Sequence, residues 1–428
     1  MVIDMIIKGN LIFMENINSL RIIENGYMLV EEGVIRNICE KLPKELAQEN
    51  ICDYGDKLII PGMTDLHVHA PQYAFRGLGM DKELLDWLEE YAFPEEKKYA
   101  KDEYADKAYS IFAEDMLESF TTRACIFGTI HKESDLMLAK KLDNMGLVTY
   151  VGKVNMDRNS PEELTEETGQ SLDDTRWYIE NVLEQCKYTK PIITPRFVPS
   201  CTDDVMSGLG KLQKEYGLPV QSHLSENLSE IDWVAELNKK SKNYGDAYNM
   251  FGLFGDSGKC VMAHCVYSSE EEQELMKQNG VFTAHCPNSN INLASGIAPI
   301  RKYLDRGLKV GLGTDVAGGF SISMMRAIQD AVSVSKLYWR IKDQTAKQLN
   351  IWEAFYLATM GGGEFFGKVG SFLPGYEADI LVLDDSRYKS AEKLDCKERL
   401  ERLCYLADTD VVCAKYVQGR LIYSNEKL

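Results

Sequence analysis

Between residues 61 and 368, short apolar runs alternate with longer amphipathic stretches, and the two periods separate cleanly. The short runs lie at 61–69, 124–131, 147–154, 192–198, 219–224, 260–266, 281–286 and 309–315. Between them, stretches such as ADKAYSIFAEDMLESF and TDDVMSGLGKLQKEY repeat their apolar positions every three to four residues, the period of a helix with one buried face. Strand and helix candidates in strict alternation predict an α/β fold, and eight such units predict a (β/α)8 barrel over 61–368.

The two ends of the chain follow another pattern. MIIKG, LIFM, GYMLVEEGVIRNI and KLIIPG in the first sixty residues, and ADILVLD, VVCAKYVQG and RLIYS near the end, are strand-like runs separated by turn residues. The expectation is that 1–60 and 369–428 combine into one small β-sandwich domain beside the barrel. No low-complexity linker or internal repeat interrupts the chain.

The polar residues that close the barrel runs carry the chemistry. All six histidines fall there: His67 and His69 on the first, His131 on the second, His223, His264 and His285 on the fifth to seventh. Arg196 closes the fourth run and Asp315 the eighth. In a barrel these ends converge on one mouth, where active sites are built. Residues i and i+2 of a strand share a face, so His67 and His69 can present both imidazoles to one point. An H-x-H pair alone is a weak signal, and polar strand residues produce it often. With His223 and Asp315 at the same mouth it becomes a candidate site for one divalent metal, with a position left for water. Glu226, three residues after His223, is placed for general acid–base work beside that site, and the same stretch can cap a helix through Asn227 and Glu230. His131 has no partner motif and is expected to be packed. GLGTDVAGG contains a G-x-G but lacks the third glycine and the ribose-binding acid of a dinucleotide fold.

Composition narrows the partners. The formal net charge is −18, which repels nucleic-acid phosphates and anionic lipid heads, so a small neutral substrate is expected, with no nucleic acid and no membrane partner. Eleven cysteines without a C-x-x-C pair suggest buried free thiols in a reducing compartment. No leader-like N-terminus and no apolar run of about 18 residues is present, and a cytoplasmic location follows as an expectation.

In order along the chain, H-x-H after PG-x-x-D, SH-x-S-E, AH, AHCP-x-SN and G-x-GTD-x-AGG resemble the metal-dependent amidohydrolase superfamily. The narrower stretches HAPQYAFRG, WLEEYAFPEE and TPRF are similar to its guanine-deaminating branch, and the resemblance runs from about residue 58 to 383. It implies hydrolytic deamination of guanine to xanthine and ammonia in purine catabolism or salvage, by a homodimer. It places the metal on His67, His69, His223 and Asp315, with zinc as first choice and Fe2+ as the other. Glu226 would be the proton shuttle, and His264, with Asp315, would orient and activate the attacking water. Gln72, Arg196 and Phe197 would hold the purine, with His69, His223, Glu226 and Asp315 against it. Trp87 and Phe93 could stack on the base or form its lid. No role follows for His285. Binuclear relatives need a lysine on the fourth strand, where this chain has Arg196; Lys153 on the third run is expected to be structural. The competing reading is another mononuclear deaminase or chlorohydrolase acting on a cytosine, triazine or nucleoside-type substrate. No P-C-x-x-C occurs, which excludes the zinc nucleoside deaminases built on that motif.

Overall fold

Strand Ile51–Pro61 runs through Gly62 directly into strand Met63–His69, so one continuous extended segment links the flanking sheet to His67 and His69. Gly62 is required at that junction. In the computed structural model, which describes residues 3–425, a β-carbon there would lie 2.3 Å from the Thr122 hydroxyl.

Strands Met63–His69, Thr121–Phe127, Val148–Gly152 and Lys190–Pro191 pair in parallel as one arc. Val220–Leu224, Cys260–His264, Phe282–His285 and Lys309–Leu312 form a second parallel arc. Backbone hydrogen bonds join the arcs on both sides. Ile193 donates to Pro219 O at 3.0 Å and accepts from Gln221 N at 2.9 Å, while Asp315 N reaches His67 O at 2.8 Å and His69 N reaches Val316 O at 3.0 Å. Each predicted run contains a strand. The fourth is the least regular, reduced to Lys190–Pro191 and Thr194–Pro195, because Pro191 and Pro195 have no N–H to continue a ladder. Helices such as Asp102–Glu118, Lys132–Asn144, Asp203–Tyr216 and Met324–Leu337 follow or precede the strands with one buried face each.

The chain ends combine, as one seven-stranded mixed sheet. Its order is Arg420–Ser424, Val412–Val417, Ile380–Leu383, Ile51–Pro61, Met5–Asn16, Ser19–Glu31, Val34–Cys39. Strand periodicity sorts its side chains into two cores. Leu11, Phe13, Ile59, Ile380 and Val382 pack on one face. Ile12, Met14, Leu58, Ile60, Leu381 and Leu383 pack on the other, against helices of the middle region. Helix Cys396–Leu406, which the strand pattern of this flank did not anticipate, starts with a capping box of Asp395 and Glu398. Buried Arg123 fastens the flanking sheet to the strands of the middle region, donating to Asp379 at 2.6 and 2.9 Å and to Glu377 at 2.7 Å. Among the described residues, no helix is long and apolar enough to cross a membrane.

Candidate active site

A bulge aims the first two histidines. The pairing of Met63–His69 with its neighbour shifts register between Asp65 and Val68. Leu66 enters an inner apolar cluster while Val68 enters the outer one, so His67 and His69 share a face, as the i/i+2 spacing predicts. Asp65 fixes this strand against the last one, its carboxylate accepting from Thr314 N at 3.0 Å, Thr314 Oγ1 at 2.5 Å and His67 N at 3.2 Å. Behind His67 the chain passes so closely that a β-carbon on Gly313 would lie 3.0 Å from the His67 Cβ. Asp315 (φ 49°) and His264 (φ 70°) both adopt the left-handed backbone region, uncommon for such residues and typical of functional sites.

Four ligand atoms meet at a point. His69 Nε2 lies 3.2 Å from both His67 Nε2 and His223 Nε2. Asp315 Oδ1 lies 3.2 Å from His67 Nε2 and 3.5 Å from His69 Nε2. Burial lowers the pKa of His67, His69 and His223, so these imidazoles are neutral. Burial alone would raise Asp315, but the surrounding imidazoles outweigh it and hold the carboxyl well below its usual range. His223 Nδ1 donates to Arg196 O at 2.6 Å, which leaves a bare lone pair on its Nε2. Lone pairs facing one another at this separation need a cation between them. A tetrahedral ion with bonds of about 2.0–2.1 Å separates its ligand atoms by roughly 3.3 Å, so the donor set fits a divalent metal in spacing, charge and protonation. The described residues offer three overlapping triplets for such an ion: His67/His69/Asp315, His67/His223/His264 and His264/Cys286/Asp315. Burial keeps the Cys286 thiol protonated, which makes it the weakest donor of the group.

Beside this cluster, Glu226 Oε1 accepts from Ser295 Oγ at 2.7 Å, and its Oε2 lies 3.4 Å from His264 Nε2. Burial raises the Glu226 pKa. His264 Nδ1 is held at 2.9 Å by Asn290 Oδ1, which aims Nε2 at Glu226 and, at 3.7 Å, at Asp315. Burial opposes protonation of His264, yet the two carboxylates and Asn290 leave its pKa raised. Asn227 caps helix Leu228–Leu237 with Glu230 in a capping box, so the capping reading and the placement of Glu226 hold together.

The opposite wall carries the polar recognition candidates. Gln72 follows His69 in the 3-10 segment Ala70–Phe75, and Arg196 and Phe197 follow Thr194–Pro195. Buried Glu96 joins them, accepting from Arg196 at 2.5 and 3.0 Å and from Gln72 Nε2 at 2.9 Å. The Arg196 guanidinium lies over the Phe93 ring at 5.1 Å. Leu84, Trp87, Leu88, Glu230 and Leu293 complete the lining of a cleft that contains His69, Gln72, Arg196, Phe197, His223, Glu226, His264 and Asp315.

Residues 58–422 match the amidohydrolase family. The chain belongs to that family. This amidohydrolase is 35% identical to guanine deaminase of Dictyostelium discoideum, over 97% of each chain. It is 40% identical to guanine deaminase of Rattus norvegicus, over 90% of this chain and 87% of the other. A crystal structure of guanine deaminase from C. acetobutylicum with guanine bound in the active site superposes with a TM-score of 0.95 at 47% identity, covering 98% of this chain and all of that one.

Several residues of the amidohydrolase site carried no role in the sequence reading. Asp65, Cys286, Asn290 and Glu96 lay inside quoted motifs, and Ser295 was not singled out. Outside the cleft, Lys153 bonds Val154 O at 3.0 Å and Glu166 at 2.5 Å, a structural pairing. His131 caps no ligand cluster, and its Nε2 is buried without a partner. His285 is fully buried with both ring nitrogens unpartnered; Phe282 and Ala284 face the inner cluster, so alternation turns His285 away from it.

Proposed function

We propose that this amidohydrolase converts guanine and water to xanthine and ammonia, with a place in purine catabolism or salvage. The observation that carries the reading is one cleft holding the imidazole–carboxylate cluster and Glu226 on one wall and Arg196 with Gln72 on the other. The guanine deaminases it resembles over nearly their full length support it, as does guanine bound in the site of the 47% identical relative. His67, His69, His223 and Asp315 would hold one divalent ion, zinc first and Fe2+ second, and it would supply the Lewis acidity that brings a water pKa from about 15.7 to about 7.

The protein's own groups handle binding and protons. Arg196 donates to the O6 carbonyl, Gln72 reads the adjoining ring edge, and Phe197 packs on the base, with His69 and His223 facing the reacting side. Glu226 keeps a proton above the ordinary glutamate range because it is buried, and gives it to a ring nitrogen beside C2. Asp315 is ionised and takes the proton of the attacking water, with His264 aligned beside it by Asn290. The proton on Asp315 then passes to the amine, which leaves as ammonia as the C2–N bond breaks, and the hydroxyl proton released when the C2 carbonyl forms returns to Glu226. Activity therefore needs Glu226 protonated and Asp315 ionised in the same encounter.

The same reading takes the two joined parallel arcs, over 61–368, as a (β/α)8 barrel. The flanking strands of 1–60 and 369–428 are then a small β-sandwich domain, a reading supported by their shared core of Leu11, Phe13 and Val382. No disulfide joins any of the eleven cysteines, which fits a reducing cytoplasm. A homodimer is the expected assembly, and sedimentation velocity tests it. Ammonia release from guanine, cytosine, adenine and guanosine, measured with metal content on one preparation, tests the substrate. Turnover of guanine far above the others is expected; activity on another amine with none on guanine would sink the reading.

A further inference from the structure

Glu96 lies 24 residues from Gln72 and 100 from Arg196, yet its carboxylate holds both. It is 1% exposed. A carboxylate only accepts, so the amide nitrogen of Gln72 must face Glu96, and the carbonyl oxygen must turn the other way. That oxygen has one weak partner, Ala317 N at 3.4 Å, and Gln72 lines the cleft, so the oxygen keeps acceptor capacity for a ligand there. Arg196 spends one Nη1–H and one Nη2–H on the Glu96 oxygens, and its Nη1 also lies 3.9 Å from Met156 Sδ. Its Nε–H and second Nη2–H remain as donors. The pair as a whole carries no net charge, which suits a neutral ligand rather than an anion.

We infer that Glu96 is the positioning residue that sorts these groups into a fixed donor at Arg196 and a fixed acceptor at Gln72, and thereby selects a lactam edge. A lactam offers a carbonyl beside an N–H, as the six-membered ring of guanine does at O6 and N1. A 6-aminopurine offers the inverse, an amino donor beside an acceptor nitrogen, and meets donor with donor. This assignment rests on the guanine reading above for the choice of substrates, but the sorting itself follows from Glu96 accepting from both partners. Without Glu96, the Gln72 amide is free to flip, and the site loses the distinction.

Guanine and 2,6-diaminopurine carry the same C2 amine and differ at the edge in question, so their kcat/KM ratio reads the sorting. Glu96→Gln keeps the shape but adds a donor. It should lower kcat/KM for guanine by about 100-fold, chiefly through KM, because buried groups lose their matched partners. The guanine to 2,6-diaminopurine ratio should fall at least about tenfold, and Glu96→Asp, which keeps an acceptor-only group, should retain more of that ratio than Glu96→Gln. Equal losses on both purines, or an unchanged ratio, would overturn the inference in favour of a structural role. Should Glu96→Gln not fold, the ratio in Glu96→Asp decides alone: it must fall below wild type. Calorimetric binding of hypoxanthine against adenine supplies a readout without turnover. If wild type releases no ammonia from guanine yet prefers hypoxanthine, and Glu96→Gln erases that preference, the guanine reading fails and the role of Glu96 stands.

Discussion

The two walls of the cleft solve opposite problems. On one, three neutral imidazoles and an ionised carboxylate crowd together at 3.2–3.5 Å, an arrangement that suits a cation between them. On the other, Glu96, Arg196 and Gln72 already satisfy one another, and the charges cancel before any ligand arrives. Protein groups thus shape the reactive wall for a cation and preorganise the reading wall. The contrast predicts separable failures: changes at the first should act on turnover or metal, and changes at the second on the choice of base.

Glu226→Gln is the largest break. Its carboxyl stands beside the ligand cluster, 3.4 Å from His264, and not within it. Loss of its proton transfer should lower kcat by about 10³–10⁴-fold while metal content and the guanine to 2,6-diaminopurine binding preference stay as in wild type. The pH profile gives the sign. Burial raises the Glu226 pKa, so the active protonated form persists above the ordinary glutamate range, and activity should decline as pH rises through that raised value. The residual activity of Glu226→Gln should lack this alkaline limb; a limb that survives assigns the proton to another group.

Asn290→Ala should be milder. It frees His264 Nδ1, whose 2.9 Å bond to Asn290 now sets the tautomer and aim of the ring. A loss of about 10- to 100-fold in kcat is expected, the range for a partner that orients a working imidazole, with little change in KM for guanine. A matching rise in KM would instead tie Asn290 to the reading wall.

How far each wall was legible follows from the distances its contacts span. His67 and His69 are two residues apart on one strand, and His223, His264 and Asp315 close the fifth, sixth and eighth runs, so a period-two pattern and a count of runs locate them. Glu96 left no such trace. It sits on a broken helical segment with partners 24 and 100 residues away, and nothing periodic connects WLEEYAFPEE to TPRF. Asp65, Asn290 and Ser295 were opaque for the same reason, since each acts by holding a neighbour in space. The left-handed backbone of His264 and Asp315 also departs from simple alternation, which would turn His264 outward after Ala263. The fourth run was called to its full length because Pro191 and Pro195 sit in an otherwise apolar stretch whose ladder they interrupt. Helix Cys396–Leu406 was readable from D-x-x-E at 395–398, but its surroundings of short strands masked it.

The smallest expected effect lies off both walls and tests that they are separate from stability. His285 is buried with neither ring nitrogen partnered, and burial, assisted by His264, pushes its pKa down to about 3. The unfolded chain takes up a proton at this position below about pH 6.5, whereas the folded protein does not until about pH 3. Stability from the neutral ring is therefore fully present above pH 6.5 and is lost as pH falls toward 3, at up to about 1.4 kcal/mol per pH unit. His285→Phe removes the proton site and replaces two unpaired polar atoms with an apolar ring. Its urea midpoint at pH 7.5 should stay close to wild type, and on moving to pH 5 it should lose less stability than wild type by at most about 2 kcal/mol. Metal loss in acid affects both proteins alike, so the difference between them isolates this ring. Equal acid losses would mean the imidazole finds a proton or a partner inside the fold. A shift in the guanine to 2,6-diaminopurine ratio would mean that the reading wall extends to this strand.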